Sequence, residues 1–333
     1  MDPKTRFVLE LVSQDGRNVG AHLSKALGIS RQAASVRMRK LVDAGLIAAF
    51  GKTAARTYQL VELSRADAAY PIEGLSEDIV WRQLCAPIVA DLAENVRNIW
   101  HYGITEMVNN AIDHSGSPWV HVGMVRTALH TTAWVSDAGE GIFLKIQRAL
   151  GLYDPREAII ELAKGKLTTD PANHTGEGIF FSSKMFDLYD IRSGNLHFIH
   201  DTGELDVLAE RERHDNGTLV IMRLENDSPR IDREVFEQFS SPDEFTFDRT
   251  IVPVRLAIHE GEKLVSRSQA KRLTMRFEKF RHVILDFEGV NEIGQAFADE
   301  VFRVFHAAHP NTVMVPVHMT DAVAAMVSRA RNR

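Results

Sequence analysis

Three polar side chains lie at helical spacing in the stretch between Trp100 and Asp187. Glu106, Asn110 and Asp113 are separated by four and three residues, so one face of a helix carries all three. An amide oxygen suits Mg²⁺, and a carboxylate one turn away can take a proton from water. The pattern therefore indicates a helix face that holds a cation and an activated water.

Two glycine-containing segments follow that helix. In the first, a predicted strand ends in Asp137 and is followed by Gly139 and Gly141. An aspartate at a strand end can accept a hydrogen bond from an amine such as adenine N6, and the glycines let the backbone approach a flat ring. The second segment places Gly176 and Gly178 before a predicted apolar helix, where free N–H groups attract phosphate. A turn or a solvated helix face explains each piece alone, but their order and spacing indicate a nucleotide pocket.

Together these pieces resemble the GHKL nucleotide-binding fold of gyrase, the heat-shock chaperone, histidine kinases and MutL-type mismatch-repair proteins, over residues 75–225. The resemblance implies that Asn110 is a Mg²⁺ ligand and that Glu106 activates water, as in the ATPase members. It also implies that Asp137 reads adenine and that Thr218 belongs to the closing Gly-Thr strand. The nucleotide-binding residues expected in this part of the chain are Asn110, Asp113, Asp137, Gly139, Gly141, Gly176, Gly178 and Thr218.

Residues 143–174, between the two glycine segments, are expected to form a mobile lid, because loops of this length inside a compact domain are usually functional. Four side chains in this loop offer contacts to the β- and γ-phosphates of a nucleotide: Lys164, Lys166, Thr168 and Thr169. The Thr-Thr pair resembles that of small anti-sigma kinases. A solvated lysine loop is an equally good interpretation. Beyond the loop, short strands are expected over 187–191, 196–200 and 205–208, with a turn at 194–195.

The composition sets limits on the class of protein. With 44% hydrophobic and 25% charged residues, the 333-residue chain reads as globular, and its length predicts two or three domains. No apolar run approaches the roughly 20 residues that a membrane span needs, and the N-terminus lacks a signal-peptide pattern. The single cysteine, Cys85, excludes an internal disulfide framework and is interpreted as a small buried hydrophobe. A cytoplasmic location is therefore expected.

The N-terminal residues 1–65 have the pattern of three short helices and a hairpin. Gly28 suits a helix C-cap, Ser30 suits the N-cap of the third helix, and Gly45 closes that helix. Apolar runs on either side of a Gly-Lys turn then predict a two-stranded wing. The arrangement resembles a winged helix-turn-helix, in which the helix over 31–44 enters the major groove of DNA.

Side chains of the third predicted helix support binding to duplex DNA. The candidate contacts to base edges and phosphates are Arg31, Gln32, Ser35, Arg37, Arg39 and Lys40, with Lys52 and Arg56 added by the wing. This segment is basic, although the whole chain carries a formal net charge of −6, which argues against a nucleic-acid coat protein. A winged helix that binds protein is the alternative.

The chain changes character over 227–243, which is rich in Ser, Pro, Asp and Glu, and a domain boundary is placed there. Strands are then expected over 250–257, 282–287 and 312–317, and helices over 266–280, 294–306 and 321–329. The run 283–290 resembles the central strand of STAS domains, and the closest resemblance is to the STAS-like domain of unknown function that follows GHKL domains in some bacterial proteins. The phosphorylatable serine of STAS proteins is absent from 293–300, which argues against a self-contained kinase and acceptor. Gln295, Asp299 and Glu300 are interpreted as helix-capping and solvated residues, or as surface recognition residues.

The predicted fold class is α+β. A winged helix-turn-helix over 1–65 is followed by a GHKL α/β sandwich over 75–226 and a small STAS-like α/β domain over 245–333, with a connector at 63–74. A sensor histidine kinase is disfavoured because no histidine-containing dimerisation helix precedes the pocket. The histidines show no metal-ligand spacing, so a zinc site is not expected.

The favoured function is a DNA-binding transcriptional regulator that binds ATP and Mg²⁺ and whose engagement of DNA or of a partner is controlled by Mg-ATP. A GHKL ATPase that uses Glu106 and an anti-sigma-like serine protein kinase that acts on a separate partner are the alternatives. A scaffold that binds nucleotide only structurally is disfavoured because Glu106, Asn110 and Asp113 are all present. A protein partner at the C-terminal domain and a homodimer stay open.

Overall fold

The N-terminal part of the chain folds as three helices and a hairpin. A computed structural model describes residues 1–52, 56–167, 176–202, 206–240, 246–258 and 262–332, apart from the side chains of residues 213 and 214. The elements of this part are α1 (Pro3–Gln14), α2 (Val19–Leu27), α3 (Arg31–Asp43), β1 (Ile47–Phe50) and β2 (Thr57–Leu60). Ser30 Oγ accepts from Ala33 N at the start of α3, and Gly28 ends α2 with a φ of 61°. The two caps predicted from sequence are therefore confirmed.

The segment predicted as a connector at 63–74 contains a strand, so that prediction is wrong. Strand β3 (Ser64–Pro71) pairs antiparallel with the first strand of the central sheet over its whole length. Its side chains alternate between half-buried and exposed, and the inward positions include Ala66 and Ala68. Small alanines gave little apolar signal in the sequence, although their period of two is that of a strand. Only residues 61–63 separate β2 from β3.

The central part contains an antiparallel sheet covered by helices. Its remaining elements are α4 (Glu77–Val80), a π turn (Trp81–Cys85), α5 (Ala86–Val89), α6 (Glu94–His114), β4 (Trp119–Arg126), β5 (His130–Asp137), α7 (Ile142–Leu150), α8 (Glu157–Lys164), α9 (Gly178–Met185), β6 (Leu188–Asp201) and β7 (Val207–Glu225). The strand order is β3-β4-β5-β7-β6. Helix α6 packs its apolar stripe against β4, β5 and α9, which places the helix directly over the sheet.

The turn expected at 194–195 is a bulge inside one long strand. Strand β6 continues through Gly194, where its register against β7 shifts twice between Ser193 and Leu196. Glycine tolerates the local bend, and the ladder to β7 resumes on both sides, so tertiary pairing overrides the local turn signal. Helix α7 was not predicted; together with α8 it occupies much of the segment expected to be a lid.

The C-terminal part alternates helices with a small parallel sheet. Its elements are α10 (Asp232–Phe239), β8 (Arg249–Pro253), a 3₁₀ turn (Val254–Ala257), α11 (Arg267–Thr274), a second 3₁₀ turn (Phe277–Lys279), β9 (His282–Asp286), α12 (Gln295–Asp299), a π turn (Glu300–Phe305), α13 (His306–Ala308), β10 (Val313–Val317) and α14 (Asp321–Arg331). The strand order is β10-β9-β8. The helix predicted over 266–280 ends earlier, because Arg276 has a φ of 66° and starts the 3₁₀ turn.

Two predicted surface residues in this part are buried. Asp299 and Glu300 are each less than a tenth exposed, and Arg303 pairs with the Asp299 carboxylate at 2.6 Å. Both interpretations of these two residues, as surface recognition groups and as solvated groups, are therefore wrong. Gln295 is exposed at the start of α12.

The buried apolar side chains form two clusters. One runs without a break from α4 to α14, so the central sheet and the C-terminal part share a continuous core. Aromatic rings join them, since the Phe247 ring lies 4.8 Å from that of Phe180 and 5.5 Å from that of Phe280. The second cluster is the core of the winged helix, and it includes Leu129 from the turn between β4 and β5.

Cys85 is buried, as the sequence predicted. Burial raises the pKa of its thiol to about 12, which keeps it protonated and unreactive. None of the described helices is long and apolar enough to cross a bilayer.

Candidate functional site

A cavity of about 300 Å³ opens between α6, the sheet and the start of α9. It brings together residues that are distant in the sequence: Glu106 and Asn110 from α6, Asp137 from the end of β5, Gly141, Gly176, Gly178 and Thr218. The cavity lies where β5 and β7 run side by side, so paired strands form one of its walls. Most of the residues predicted to form a nucleotide pocket therefore line one space.

Helix α6 places Glu106 and Asn110 on the cavity because its opposite stripe is held by the core. Ile104 and Val108 are fully buried in the core, which fixes the rotation of the helix about its axis. The Asn110 amide nitrogen is buried and has no hydrogen-bond partner within the described residues. A buried donor without a partner costs free energy, and a ligand with acceptor oxygens would satisfy it.

Asp113, predicted to join these two side chains, does not line the cavity. It is exposed on the last turn of α6. At about 100° per residue, the α6 side chains that line the cavity, among them Met107, Asn110 and His114, lie on one side of the helix, and Asp113 is rotated away from them.

The Asp137 carboxylate lies at the end of β5 and is held by backbone donors. Its Oδ1 atom accepts from Gly139 N at 2.8 Å. Burial raises the pKa of Asp137 above its ordinary value, while the backbone N–H groups of Gly139 and Thr218 oppose part of the rise. Gly139 itself packs over Ser115 O and does not line the cavity.

Two glycines fit the backbone and side chains around the cavity closely. A Cβ atom on Gly178 would lie 1.9 Å from Glu106 Oε2, so a side chain at the start of α9 would require that carboxylate to move. A Cβ atom on Gly217 would lie 2.1 Å from Asp137 O, and Gly217 has a φ of 77°. The Thr218 hydroxyl accepts from Ile142 N at 3.0 Å, which ties β7 to the first turn of α7.

The lysines of the expected phosphate loop are directed elsewhere. Lys164 is fully buried against the C-terminal part, and Lys166 donates to Lys279 O at 3.0 Å and lies over the rings of Phe247 and Phe280. Neither lines the cavity, so the predicted phosphate contacts of these two lysines are not supported by the geometry. Thr168 and Thr169 lie outside the described residues.

Helix α7 supplies a residue that the sequence reasoning missed. Lys145 lines the cavity and is the only lysine or arginine among the described lining residues. Its ammonium group donates to His114 O at 2.5 Å, so it also fixes the end of α6. Lys145 follows the cavity residue Gly141 by four positions, about one helical turn. This spacing would have predicted a lysine at the cavity if the helix α7 had been predicted.

The N-terminal part presents a second polar surface. Ala34, Met38 and Leu41 of α3 are buried, which turns the opposite side of the helix outward. Five of the six predicted DNA contacts on α3 are exposed: Arg31, Gln32, Ser35, Arg39 and Lys40. Arg37 is only half-exposed and lies to one side of them.

Three further side chains converge at the ends of β9 and β10. Asp286, Glu288 and His318 each place one potential ligand atom within 4.8 Å of the others. The hydrogen bond from the imidazole to Asp286, at 2.9 Å, raises the pKa of His318. Adjacent parallel strands bring these residues together from distant parts of the chain. Their spacing in the sequence therefore did not indicate a group of possible metal ligands.

Comparisons with known families identify the two ends of the chain. Residues 1–48 match the family described as winged helix-turn-helix DNA-binding, and residues 269–324 match the family described as STAS-like domain of unknown function (DUF4325). A search of curated proteins found no match. The chain has a winged helix-turn-helix at one end and a STAS-like domain at the other. Neither match reaches the central cavity, so the GHKL-type nucleotide domain stays a prediction.

Proposed function

We propose that this protein is a DNA-binding transcriptional regulator whose central cavity binds Mg-ATP. The observation that carries the proposal is the convergence of Asn110, Asp137 and Gly178 on one cavity about 300 Å³ in volume. The domain limits proposed with it are 1–65, 75–226 and 245–333, although β3 extends the central sheet back to Ser64.

The DNA-binding role rests on the family match and on the exposed side of α3. Its guanidinium and ammonium groups, on Arg31, Arg39 and Lys40, face outward with Gln32 between them. Such side chains contact phosphates and base edges when a helix lies in the major groove.

The nucleotide-binding role rests on the fit of the cavity to an adenine nucleotide. Asp137 lines the cavity and offers an acceptor to an exocyclic amine, and the Asn110 amide nitrogen lacks a protein partner among the described residues. Gly178 begins α9 at the cavity, and the free N–H groups of a helix's first turn attract phosphate. Asn110 Oδ1 would hold Mg²⁺, which would neutralise part of the phosphate charge there.

A physical connection between the two sites supports control of one by the other. Strand β7 carries Thr218 at the cavity and Glu225 roughly 23 Å further along. The Arg6 guanidinium of α1 pairs with Glu225 and, at 2.6 Å, with Asp227. Leu129, from the turn between β4 and β5, belongs to the winged-helix core, so the sheet and the winged helix also share apolar contacts.

ATP hydrolysis is a second candidate function because Glu106 lines the cavity one turn before Asn110. A carboxylate there is positioned to orient water towards a bound phosphate group. Phosphate release by the wild-type protein distinguishes an ATPase from a sensor.

Replacing Asn110 with alanine is expected to weaken binding of Mg-ATP by about 10–100-fold, because a hydrogen bond or ligand to a charged group contributes about 1.5–3 kcal/mol. Titration calorimetry on the full-length protein measures the effect. Asn109→Ala is the matched control, since it changes the same residue type on the same helix outside the cavity. Asp137→Asn should reduce the preference for ATP over GTP. Equal ATP affinity in wild type and Asn110→Ala would refute the assignment.

Replacing Arg39 with alanine is expected to reduce the slope of log affinity for duplex DNA against log salt by about one, because each phosphate contact releases close to one counterion. Fluorescence anisotropy on the full-length protein, across about 50–200 mM salt, gives the slope. Arg82→Ala in the central part, where the arginine is also exposed, is the control. An unchanged slope in Arg39→Ala would place the DNA elsewhere.

The same titrations with and without ATP test the control of DNA binding by nucleotide. By linkage, DNA must change ATP affinity by the factor by which ATP changes DNA affinity. Identical DNA affinity in both conditions would leave two independent binding modules on one chain.

A further inference from the structure

Residues 161–167, which we call the bridging segment, lie between the cavity and the C-terminal part of the chain. On one side, Leu162 and Leu167 line the cavity. On the other side, the segment contacts the C-terminal part, because α8 packs on β8 and on the 3₁₀ turn that follows it. The position of one wall of the cavity therefore depends on contacts made outside the central sheet.

Arg276 makes the largest set of these contacts. Its Nη1 atom donates to Glu161 Oε2 at 2.8 Å, and Nη2 donates to Gly165 O at 2.9 Å and to Lys166 O. The residue is 7% exposed, so these bonds are shielded from water. Because the acceptors immediately precede Leu167, the guanidinium fixes where the segment enters the cavity wall.

Other contacts hold the same segment. Lys164 donates to Glu161 and, at 2.8 Å, to Met275 O, while the Thr250 hydroxyl donates to Lys164 O at 2.8 Å. These groups are fully buried or nearly so. A buried network that is satisfied on every side has one preferred arrangement, so the segment cannot slide on the C-terminal part without breaking several bonds.

We propose that Arg276 is a positioning residue through which the STAS-like domain sets the cavity wall and thereby the affinity for nucleotide. This inference rests on the proposed binding of Mg-ATP. Its consequence is reciprocal: a partner that binds the STAS-like domain and displaces Arg276 changes nucleotide affinity, and nucleotide changes affinity for that partner by the same factor. The STAS-like domain is then a regulatory input to the cavity.

Hydrogen exchange on the full-length protein without nucleotide tests the positioning itself. Arg276→Lys keeps the charge but loses the planar fork, and Thr250→Val removes one bond at nearly constant volume. Both are expected to speed exchange of amides in 161–167, by about tenfold for Arg276→Lys. Arg303→Lys, which changes an arginine paired with Asp299 away from the segment, should leave this exchange unchanged. Unaltered exchange in both test variants would overturn the proposal.

Calorimetric titration of the same four proteins with Mg-ATP tests the link to the cavity. Arg276→Lys is expected to bind about tenfold more weakly than wild type, with a smaller loss in Thr250→Val and none in Arg303→Lys. Wild-type affinity in a variant with faster exchange would overturn the link. If the wild type binds no ATP, the proposed nucleotide function fails, and the exchange result alone decides whether Arg276 positions the segment.

Discussion

Replacing Glu161 with glutamine is expected to lower the free energy of unfolding by about 3–5 kcal/mol, because it leaves two buried cations without their shared anion. Glu161 is 1% exposed, and its carboxylate pairs with Lys164 and with Arg276. The change keeps the size of the side chain, so the loss measures charge and not a cavity. Chemical denaturation followed by fluorescence gives the value.

Two further variants make this expectation specific. Glu73→Gln removes a carboxylate from an exposed position and should change stability by less than about 0.5 kcal/mol. The double variant Glu161→Gln with Lys164→Met should be more stable than Glu161→Gln alone, because only the Arg276 cation then remains unpaired. If the losses in free energy of unfolding from the two single changes simply add in the double variant, the charges of Glu161 and Lys164 do not interact in the fold.

Replacing Gly217 with alanine is expected to destabilise the protein through both backbone strain and a steric clash. The loss should exceed, by at least about 2 kcal/mol, that of a glycine-to-alanine change that causes backbone strain alone. The added Cβ atom would lie 2.1 Å from Asp137 O, and a backbone atom in a sheet cannot move aside cheaply. The strand end that carries Asp137 must shift, so Mg-ATP binding should be lost as well.

Gly74→Ala is the matched control for that prediction. Its φ of 73° is close to that of Gly217, but no atom lies within 4 Å of the added Cβ position. It should therefore cost about 1–3 kcal/mol from strain alone and leave nucleotide binding intact. Equal losses in the two alanine variants would mean that Asp137 does not depend on close packing against Gly217.

The sequence predicted those features that depend only on residues close together in the chain, such as helix ends and the residues that share one helix face. Ser30 and Gly28 marked helix ends through caps that involve only a few residues. Glu106 and Asn110 were placed on one helix face by spacing alone, and the cavity contains both. Asp113 lies outside the cavity because the lining side of α6 is centred on Met107 and His114, and the packing of the helix on the sheet decides that rotation.

The errors concern residues whose partners are far away in the sequence. Lys164 was expected near phosphate or solvent because an isolated lysine is costly to bury. Arg276, more than a hundred residues later, helps to form the buried network that accommodates it. Strand β3 was missed for a related reason, since its stability comes from pairing with β4 and little of it from its own small side chains.

The contribution of Leu129 to the winged-helix core has a consequence for synthesis on the ribosome. The N-terminal helices emerge first, but their core stays incomplete until the β4–β5 turn follows about 65–70 residues later. During that interval the apolar surface that Leu129 covers in the folded protein is open to solvent and to other chains. The winged-helix core is thus complete only in chains that have already reached the first strands of the central sheet.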